Sequence, residues 1–410
     1  MSISINHTQS AICFLYLSKI LENDKIKLYR FFYICIKSKE KNMEPINLLI
    51  KPASSLCNLR CKYCFYFDVA ACREIKSYGI METELLEIIV KKTLSEAKGY
   101  CSFAFQGGEP TLAGLDFYKK LVEFQKKYNY KNLDIYNSIQ TNGYLLHEEW
   151  ADFFAKNNFL VGISLDGNEY THDFHRINTE NNGSFSEIMK NIEIFNKYNV
   201  EYNILTVVTD ELAAAVSDVY NFFKENNFRY LQFIPSINSF DSDKAPFLSP
   251  SSYSSFLKKL FDLWYEDFIS GTYISIRDFN NYINMLKGYP PENCAMKGRC
   301  EFYYLLEADG SVYPCDFYVL DEWKIGNIKE NSYSEIKKNP KIKDFEQMSH
   351  TLDKKCTDCE FLYICRGGCR RYREQKNPSG KSFIGLNFFC ESYKDFFSYS
   401  LERMKYIAGM

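Results

Sequence analysis

The chain has 410 residues, of which 46% are hydrophobic, and its formal net charge is −2 at pH 7. This length and apolar content are enough for one large core and a smaller second domain. The near-neutral charge gives no basic footprint, so nucleic acid is not an expected partner.

The first 42 residues differ from the rest of the chain. Their apolar stretch, Ala11–Ile20, is too short to cross a bilayer, so no membrane association is expected. The lysine-rich stretch after it fits a targeting peptide poorly. We predict that residues 1–42 are an extension outside the fold, with a translation start at Met43. A targeting peptide is the alternative.

From Ile46 to Ile237, short apolar runs alternate with longer amphipathic stretches. Such runs are typical of parallel strands that are buried on both faces. Strands are predicted at Ile46–Pro52, Phe103–Gln106, Leu133–Gln140, Phe159–Leu165, Glu201–Val208 and Tyr230–Pro235. Helices are predicted between them at Glu82–Lys98, Phe117–Lys127, Glu148–Asn157, Ser184–Tyr198 and Ala215–Asn226. These α/β units predict a parallel sheet with right-handed crossovers in residues 43–240.

Three cysteines follow the first predicted strand, Cys57, Cys61 and Cys64, with the spacing C-x3-C-x2-C. Thiolates are the usual ligands of iron–sulfur centres, and three of them leave one iron of a four-iron cluster without a protein ligand. A structural zinc site would instead fill every position. The triad therefore favours a reactive cluster over structural zinc.

The triad resembles the signature of radical S-adenosylmethionine (SAM) enzymes. The resemblance implies that the open iron binds the amino and carboxylate groups of SAM, whose cleavage yields a 5′-deoxyadenosyl radical. It also implies a partial (β/α)6 barrel of the TIM type, in which chemistry lies at the carboxyl ends of the strands. The unusual runs fall at those ends: the cysteines, Gln106–Pro110, Gln140–Gly143 and Ser164–Gly167.

Residues 241–290 are predicted to form a helical bridge, and the pattern changes after them. Glu307–Gly310 is typical of a hairpin turn. Eight cysteines crowd this last part: Cys294, Cys300, Cys315, Cys356, Cys359, Cys365, Cys369 and Cys390. Eight thiolates can ligate two closed four-iron clusters, and zinc ribbons are the alternative. Residues 291–395 are predicted to be a metal-organised second domain, followed by a C-terminal tail at residues 396–410.

This array resembles the SPASM domain of peptide-modifying radical SAM enzymes. The resemblance implies one auxiliary cluster on Cys294, Cys300, Cys315 and Cys369. It implies a second on Cys356, Cys359, Cys365 and Cys390. Together with the triad, the implied cofactors are three [4Fe-4S] clusters and S-adenosyl-L-methionine.

Further runs resemble the anaerobic sulfatase-maturating enzymes, namely Leu49–Ser55, Cys57–Leu59, Tyr63–Tyr66, Phe105–Thr111, Gln140–Gly143 and Tyr313–Asp316. The resemblance covers about Glu44–Cys390. It implies a radical SAM oxidoreductase that oxidises a Cys or Ser of a sulfatase to Cα-formylglycine without oxygen. A sulfatase polypeptide, an electron donor such as flavodoxin or ferredoxin, a monomer and a cytoplasmic location are the corresponding expectations.

The same resemblance makes Asp316 the catalytic proton acceptor, directly after Cys315. From the residues alone, a turn aspartate held by backbone amides is an equal alternative. Tyr66 and Gln106 are expected to line the same cavity.

For SAM, the resemblance implies Gly107, Gly108 and Glu109 at the amino group. Glycines permit close backbone approach, and a carboxylate accepts hydrogen bonds from an ammonium. Ser164 and Arg176 are expected to hold the ribose and the SAM carboxylate, since Arg pairs bidentately with carboxylates. The backbone of Tyr63 and the side chain of Ile237 are expected to flank the adenine. Without the resemblance, Ser164, Arg176 and Ile237 would be interpreted as a capping serine, a surface arginine and a core isoleucine.

Two other functions are compatible with the pattern. Another SPASM-type peptide maturase, which forms thioether or carbon–carbon crosslinks, would share the clusters. Asp316 and the Gln140–Gly143 run favour the sulfatase type, and residues 1–42 are too short for a typical precursor-recognition module. The second alternative is a non-catalytic zinc-binding interaction protein.

Overall fold

Six parallel strands, each paired with the next in the sequence, form the centre of the fold. The structure is a computed structural model that describes residues 44–240, 245–376 and 382–410. The strands are β1 (Ile46–Ile50), β2 (Tyr100–Phe105), β3 (Asp134–Thr141), β4 (Leu160–Ser164), β5 (Glu201–Val208) and β6 (Tyr230–Pro235). All six predicted strands are confirmed.

The predicted extension at residues 1–42 and the start at Met43 lie outside the described residues.

Helices follow the strands of this α/β unit. They are α1 (Phe65–Ala71), α2 (Thr83–Glu96), α3 (Leu115–Tyr128), α4 (Glu148–Lys156), α5 (Glu169–Asp173), α6 (Phe185–Tyr198), α7 (Asp210–Ala214) and α8 (Val216–Glu225). Apolar residues recur along them at helical spacing, as in α2, which buries Leu86, Ile89 and Val90. They pack into one core with strand residues such as Phe103 and Ile163.

The chain then continues through α9 (Pro250–Ile269), the short strand β7 (Ser275–Ile276) and α10 (Arg277–Leu286). The cysteine-rich part begins with three short strands, β8 (Tyr304–Leu306), β9 (Ser311–Tyr313) and β10 (Gly326–Asn327). Short helices follow: α11 (Tyr333–Lys337), α12 (Pro340–Met348), α13 (Lys354–Thr357), α14 (Leu362–Cys365) and α15 (Arg370–Arg373). The last elements are the hairpin β11 (Glu374–Lys376) and β12 (Ser382–Ile384), and α16 (Cys390–Ala408).

The cysteine-rich part is joined to the barrel strands by one continuous sheet. β8 pairs in parallel with β1, with Leu48 opposite Tyr304 and Ile50 opposite Leu306. The sheet therefore has ten strands in the order β10-β9-β8-β1-β2-β3-β4-β5-β6-β7. The predicted hairpin turn joins β8 to β9, where the backbone N–H of Glu307 donates to the carbonyl of Ser311 at 2.9 Å. The sheet runs through the predicted boundary between the two domains.

The predicted C-terminal tail, residues 396–410, is largely helical. Most of them lie in α16, which begins at Cys390 and buries Phe396, Phe397 and Met404. These side chains recur at helical spacing and pack into the main core. In the described ranges, no helix is long and apolar enough to cross a membrane.

Candidate active site

The cysteine triad lies in the loop between β1 and α1, at the carboxyl end of β1. The backbone N–H of Cys64 donates to the carbonyl of Cys61 at 3.1 Å, which folds the loop back on itself. Burial is the main reason why the pKa of Cys57 rises to about 11 and that of Cys61 to about 12, and the thiolate of Cys64 makes a smaller contribution to both values. Three neighbouring thiols in a water-poor loop are a suitable donor set for an iron–sulfur cluster, where each thiolate binds its own iron.

Glu109 fixes the two loops that face this triad. Its Oε1 accepts hydrogen bonds from the backbone N–H of Thr111 at 3.0 Å and from the hydroxyl groups of Thr111 at 2.6 Å and Thr141 at 2.8 Å. Its Oε2 accepts the N–H of Asn142 at 2.7 Å. The side chain of Asn142 in turn donates to Asn58 at 2.8 Å, beside the triad. The predicted SAM contact, Glu109, is therefore a buried carboxylate that already accepts four hydrogen bonds.

Gly107 and Gly108 bring the backbone of this loop against the triad. Gly108 has φ +53°, and a Cβ there would lie 2.2 Å from the carbonyl oxygen of Leu56. At Gly107 a Cβ would lie 2.4 Å from Cε of Lys51. The N–H of Glu109 donates to the carbonyl of Leu56 at 2.7 Å, which closes the contact. A side chain at position 108 would therefore force this loop away from Leu56, the residue that precedes Cys57.

Arg176, predicted to hold the SAM carboxylate, is paired with a residue that sequence reasoning missed. Its Nε and Nη2 donate to the two carboxylate oxygens of Asp166 at 2.8 and 3.2 Å. Tyr63 OH and the backbone N–H of Val207 also donate to Asp166. Nη1 of Arg176 lies 4.0 Å from the sulfur of Cys61. The only sequence signal for Asp166 was its place in the Ser164–Gly167 run.

The buried residue His172 holds the backbone of the Asp166–Arg176 pair through hydrogen bonds. Nδ1 of His172 accepts the N–H of Asp166 at 3.1 Å, so the ring proton is on Nε2, which lies 2.9 Å from Ser184 Oγ. The Ser184 hydroxyl donates onward to the carbonyl of Arg176 at 2.8 Å. Burial lowers the pKa of His172 to about 3, so the ring is neutral at pH 7.

The other predicted SAM residues lie at neighbouring strand ends. Ser164 is the last residue of β4 and accepts a hydrogen bond from Gln140 Nε2 at 3.1 Å. Ile237 follows β6 closely and is 9% exposed. Because parallel strands end at one edge of the sheet, both residues lie at the edge where the triad loop begins.

Asp316, the predicted proton acceptor, is 6% exposed and lies across from α1. Its Oδ2 accepts hydrogen bonds from Tyr66 OH at 2.5 Å and from Gln106 Nε2 at 3.1 Å. Gln106 Nε2 also donates to Tyr66 OH at 2.5 Å. Oδ1 has no hydrogen-bond partner within the described part of the chain. One carboxylate oxygen is thus held in place while the other is available for a proton.

The surroundings of Asp316 contain a buried ion cluster that sequence reasoning also missed. Lys51 and Arg73 lie 3.2 and 3.1 Å from Oε1 of Glu307, and all three side chains are at most 2% exposed. Lys51 Nζ is also 4.9 Å from the centre of the Tyr66 ring. Burial raises the pKa of Asp316, while the positive charge of Lys51 lowers it. The sequence predicted a turn at Glu307 and gave no sign of its ion pairs.

The eight C-terminal cysteines lie in two groups. Cys356, Cys359, Cys365 and Cys390 line one pocket. In the other group, the thiolates of Cys369 and Cys294 add to burial in raising the pKa of Cys315. The thiolates of Cys294 and Cys300 likewise add to burial in raising the pKa of Cys369. The two groups have the same members as the two clusters that the SPASM resemblance implies. No group of three or more Cys, His, Asp or Glu residues in the described ranges is placed to hold a single metal ion.

Comparisons with known proteins agree with this arrangement. Residues 52–223 match the Radical SAM superfamily, and residues 294–360 match the SPASM iron-sulfur cluster-binding domain. The cysteine-type anaerobic sulfatase-maturating enzyme of Clostridium novyi (strain NT) is 50% identical over 369 residues, which cover 89% of this chain and 98% of that protein. The chain belongs to the anaerobic sulfatase-maturating enzymes. A member of this family binds SAM and iron–sulfur clusters, as predicted.

Two further members of the anaerobic sulfatase-maturating enzymes place this chain within the family. The solved structure of native anSMEcpe with bound AdoMet and Cp18Cys peptide has a TM-score of 0.84 at 48% identity, covering 89% of this chain and 99% of that one. The serine-type anaerobic sulfatase-maturating enzyme of Bacteroides thetaiotaomicron (strain VPI-5482) is 34% identical over 383 residues, which cover 89% of this chain and 91% of that protein. Identity to the cysteine-type relative is therefore higher.

Proposed function

We propose that this enzyme oxidises a cysteine in a sulfatase polypeptide to Cα-formylglycine. The observation that carries the proposal is the carboxylate of Asp316, anchored through Oδ2 and without a partner at Oδ1 among the described residues. Cysteine is preferred over serine as the target because the chain is 50% identical to a cysteine-type relative and 34% identical to a serine-type one. A solved relative carries AdoMet together with a peptide named Cp18Cys.

The thiolates of Cys57, Cys61 and Cys64 are the proposed ligands of the cluster that binds SAM. The two groups of C-terminal cysteines are the proposed ligands of two auxiliary [4Fe-4S] clusters. Their burial and their mutual proximity support this assignment, since closely spaced thiolates repel one another unless a metal centre neutralises them.

SAM is proposed to lie over the carboxyl ends of the strands, against Gly107, Gly108 and Glu109. Because the Glu109 carboxylate already accepts four hydrogen bonds, the backbone carbonyl groups of the glycines are the freer acceptors for the SAM ammonium. Ser164, Arg176, Ile237 and the backbone of Tyr63 complete the proposed cofactor contacts. Arg176 would reach SAM through Nη1, since its other two nitrogens donate to Asp166.

When bound, SAM and its cluster supply a 5′-deoxyadenosyl radical that takes a hydrogen atom from Cβ of the target cysteine. Asp316 then accepts the thiol proton at Oδ1, while Tyr66 and Gln106 hold Oδ2 and so orient the carboxylate. Loss of the hydrogen atom, the proton and one electron leaves a thioaldehyde, and an auxiliary cluster held by the C-terminal cysteines would accept that electron. Water converts the thioaldehyde to the aldehyde and releases hydrogen sulfide.

The electron donor is proposed to be a flavodoxin or ferredoxin, and the enzyme a monomer of the cytoplasm. Low-potential carriers of these classes match the potentials at which iron–sulfur clusters are reduced. A reducing compartment keeps the many thiols of the chain available for metal binding.

The proposal is tested by anaerobic incubation of the reconstituted enzyme with SAM, a reductant and two peptides that differ only in Cys or Ser at the target. Mass spectrometry should show that the target cysteine exchanges its sulfur for oxygen and loses two hydrogen atoms, and that the Ser peptide loses two hydrogen atoms more slowly. Asp316→Asn should abolish formylglycine while 5′-deoxyadenosine still forms. Asp309→Asn is the matched control, because Asp309 is a turn aspartate that accepts the N–H of Ser311 at 2.9 Å. Normal maturation by Asp316→Asn would remove this residue from the role.

A further inference from the structure

Two arginines in α15 are among the largest fully buried side chains of the described protein. Arg370 is 2% exposed and Arg373 is 1% exposed. Both follow Cys369 closely in the sequence. Neither has a carboxylate partner in the described ranges, where the acceptors of the two guanidinium groups are backbone carbonyls and one methionine sulfur. Nε of each has no hydrogen-bond partner there. Since an isolated buried charge is costly, each cation needs another source of negative potential.

Arg370 obtains part of its stabilisation from aromatic rings. Its guanidinium carbon lies 4.5 Å from the ring centre of Tyr318, 4.8 Å from that of Phe345 and 5.1 Å from that of Trp323. The faces of aromatic rings are negative, so they attract a cation. Nη1 of Arg370 also donates to the carbonyl of Phe345 at 3.3 Å.

Arg373 has no such ring partners in the described part of the chain. Its Nη1 and Nη2 donate to the carbonyl groups of Thr351 at 3.0 Å and Ser349 at 2.7 Å, which are neutral acceptors. The hydroxyl of Ser349 accepts the backbone N–H of Cys300 at 2.7 Å, so one residue joins Arg373 to that cysteine. On the other side, a Cβ at Gly367, two residues after Cys365, would lie 3.9 Å from Nη1 of Arg373. Burial lowers the pKa of Arg373, and the nearby thiolates of Cys300, Cys369 and Cys356 oppose this lowering. Cys300 and Cys369 belong to one group of cysteines and Cys356 to the other. Arg373 therefore lies within electrostatic reach of both groups.

We propose that Arg373 is the shared counter-charge of the two auxiliary clusters and raises the reduction potential of both. The proposal rests on the cluster ligands assigned under the proposed function. A four-iron cluster with four thiolates is an anion that gains a further negative charge on reduction. A buried cation stabilises the reduced state more than the oxidised state, because the low dielectric surroundings screen its charge poorly. Arg373 would act through its charge on the two clusters, and it has no proposed contact with the substrate.

The test compares the full-length holoenzyme with three variants: Arg373→Met, Arg373→Lys and Arg371→Met. Each is prepared anaerobically, its iron is counted, and its cluster potentials are measured by redox titration with electron paramagnetic resonance. Arg373→Met should shift the auxiliary potentials to more negative values, and Arg373→Lys should keep them near those of the unsubstituted enzyme. Arg371→Met is the matched control. Arg371 is in the same helix and is 7% exposed, but its guanidinium lies 3.8 Å from the Phe240 ring centre and donates to the carbonyl of Asn238 at 2.7 Å.

Two results support the proposal: the negative shift, or loss of auxiliary iron in Arg373→Met while Arg373→Lys retains it. Unchanged potentials in fully loaded Arg373→Met overturn it. Equal loss of iron from both Arg373 variants also overturns it, since the hydrogen bonds and not the charge would then matter. If the unsubstituted enzyme contains no auxiliary clusters, the ligand assignment itself is wrong, which is a distinct outcome.

Discussion

Tyr66 and Asp316 are 250 residues apart in the sequence, yet their side chains share a hydrogen bond of 2.5 Å. Tyr66 lies in α1, next to the cysteine triad, and Asp316 directly follows Cys315 in the cysteine-rich part. The bond therefore connects the SAM-binding region to the proposed proton acceptor. Its donor is a phenol whose pKa burial keeps well above its usual value, so the proton stays on Tyr66.

Tyr66→Phe should slow formylglycine formation by about 10- to 100-fold, because a hydrogen bond to a charged group is worth about 1.5–3 kcal/mol. Gln106 would remain as the only side-chain donor in the described structure to Oδ2 of Asp316. The measurement is single-turnover formation of formylglycine in a target peptide, with 5′-deoxyadenosine counted in the same samples. A variant that slows both products equally would assign Tyr66 to SAM binding instead.

Lys51→Met should destabilise the protein by about 3–5 kcal/mol, the usual cost of removing one partner from a buried ion pair. Glu307 would keep only Arg73, and the stem of Lys51 that packs beneath Gly107 would change shape. The apparent thermal midpoint of the anaerobic holoenzyme should fall. Lys119→Met is the control, since its partner Asp116 is 92% exposed and such pairs contribute little. Equal midpoints for both variants would contradict the importance of the buried cluster.

Gly108→Ala should greatly reduce the iron held by the triad. The added Cβ would meet the backbone oxygen of Leu56 at 2.2 Å, and backbone cannot move aside as a flexible side chain can. Gly79→Ala is the matched control, because Gly79 also has a positive φ of +75°, but a Cβ added there would have no atom within 4 Å. Both variants carry the strain of a left-handed alanine, so the difference in iron content isolates the clash. Similar iron content would show that the loop can shift.

His172 should make the protein less stable in acid. Its pKa is about 3 in the folded protein and about 6.5 in the unfolded chain, so only the unfolded chain binds the proton between these values. Above pH 6.5 the free energy of unfolding does not change with pH through this group. Between pH 6.5 and pH 3 it falls by about 1.4 kcal/mol for each unit by which the pH decreases. His172→Gln is expected to unfold at a lower temperature at pH 7.5, with a smaller further decrease at pH 5.5. A difference between the two proteins that is the same at both pH values would exclude this linkage.

The sequence predicted the six barrel strands because each is a short apolar run between polar turns, a local signal. The cysteines were equally visible, since metal ligands are rare residues at fixed spacing. The pairing of β8 with β1 was not predicted, because a strand of three residues has too little periodicity and its partner is far away in the sequence. Asp166 and Glu307 were missed for a related reason. Their importance comes from Arg176, Lys51 and Arg73, which only the fold brings to them.

The position of β1 between β2 and β8 also has a consequence for dissecting this enzyme. A fragment that stops before Tyr304 would leave the outer N–H and C=O groups of β1 bare, next to the loop that carries Cys57. A bare strand edge recruits strands from other molecules, so such a fragment should precipitate. The part of the chain that carries the auxiliary cysteines therefore also protects the sheet edge beside the cysteine triad.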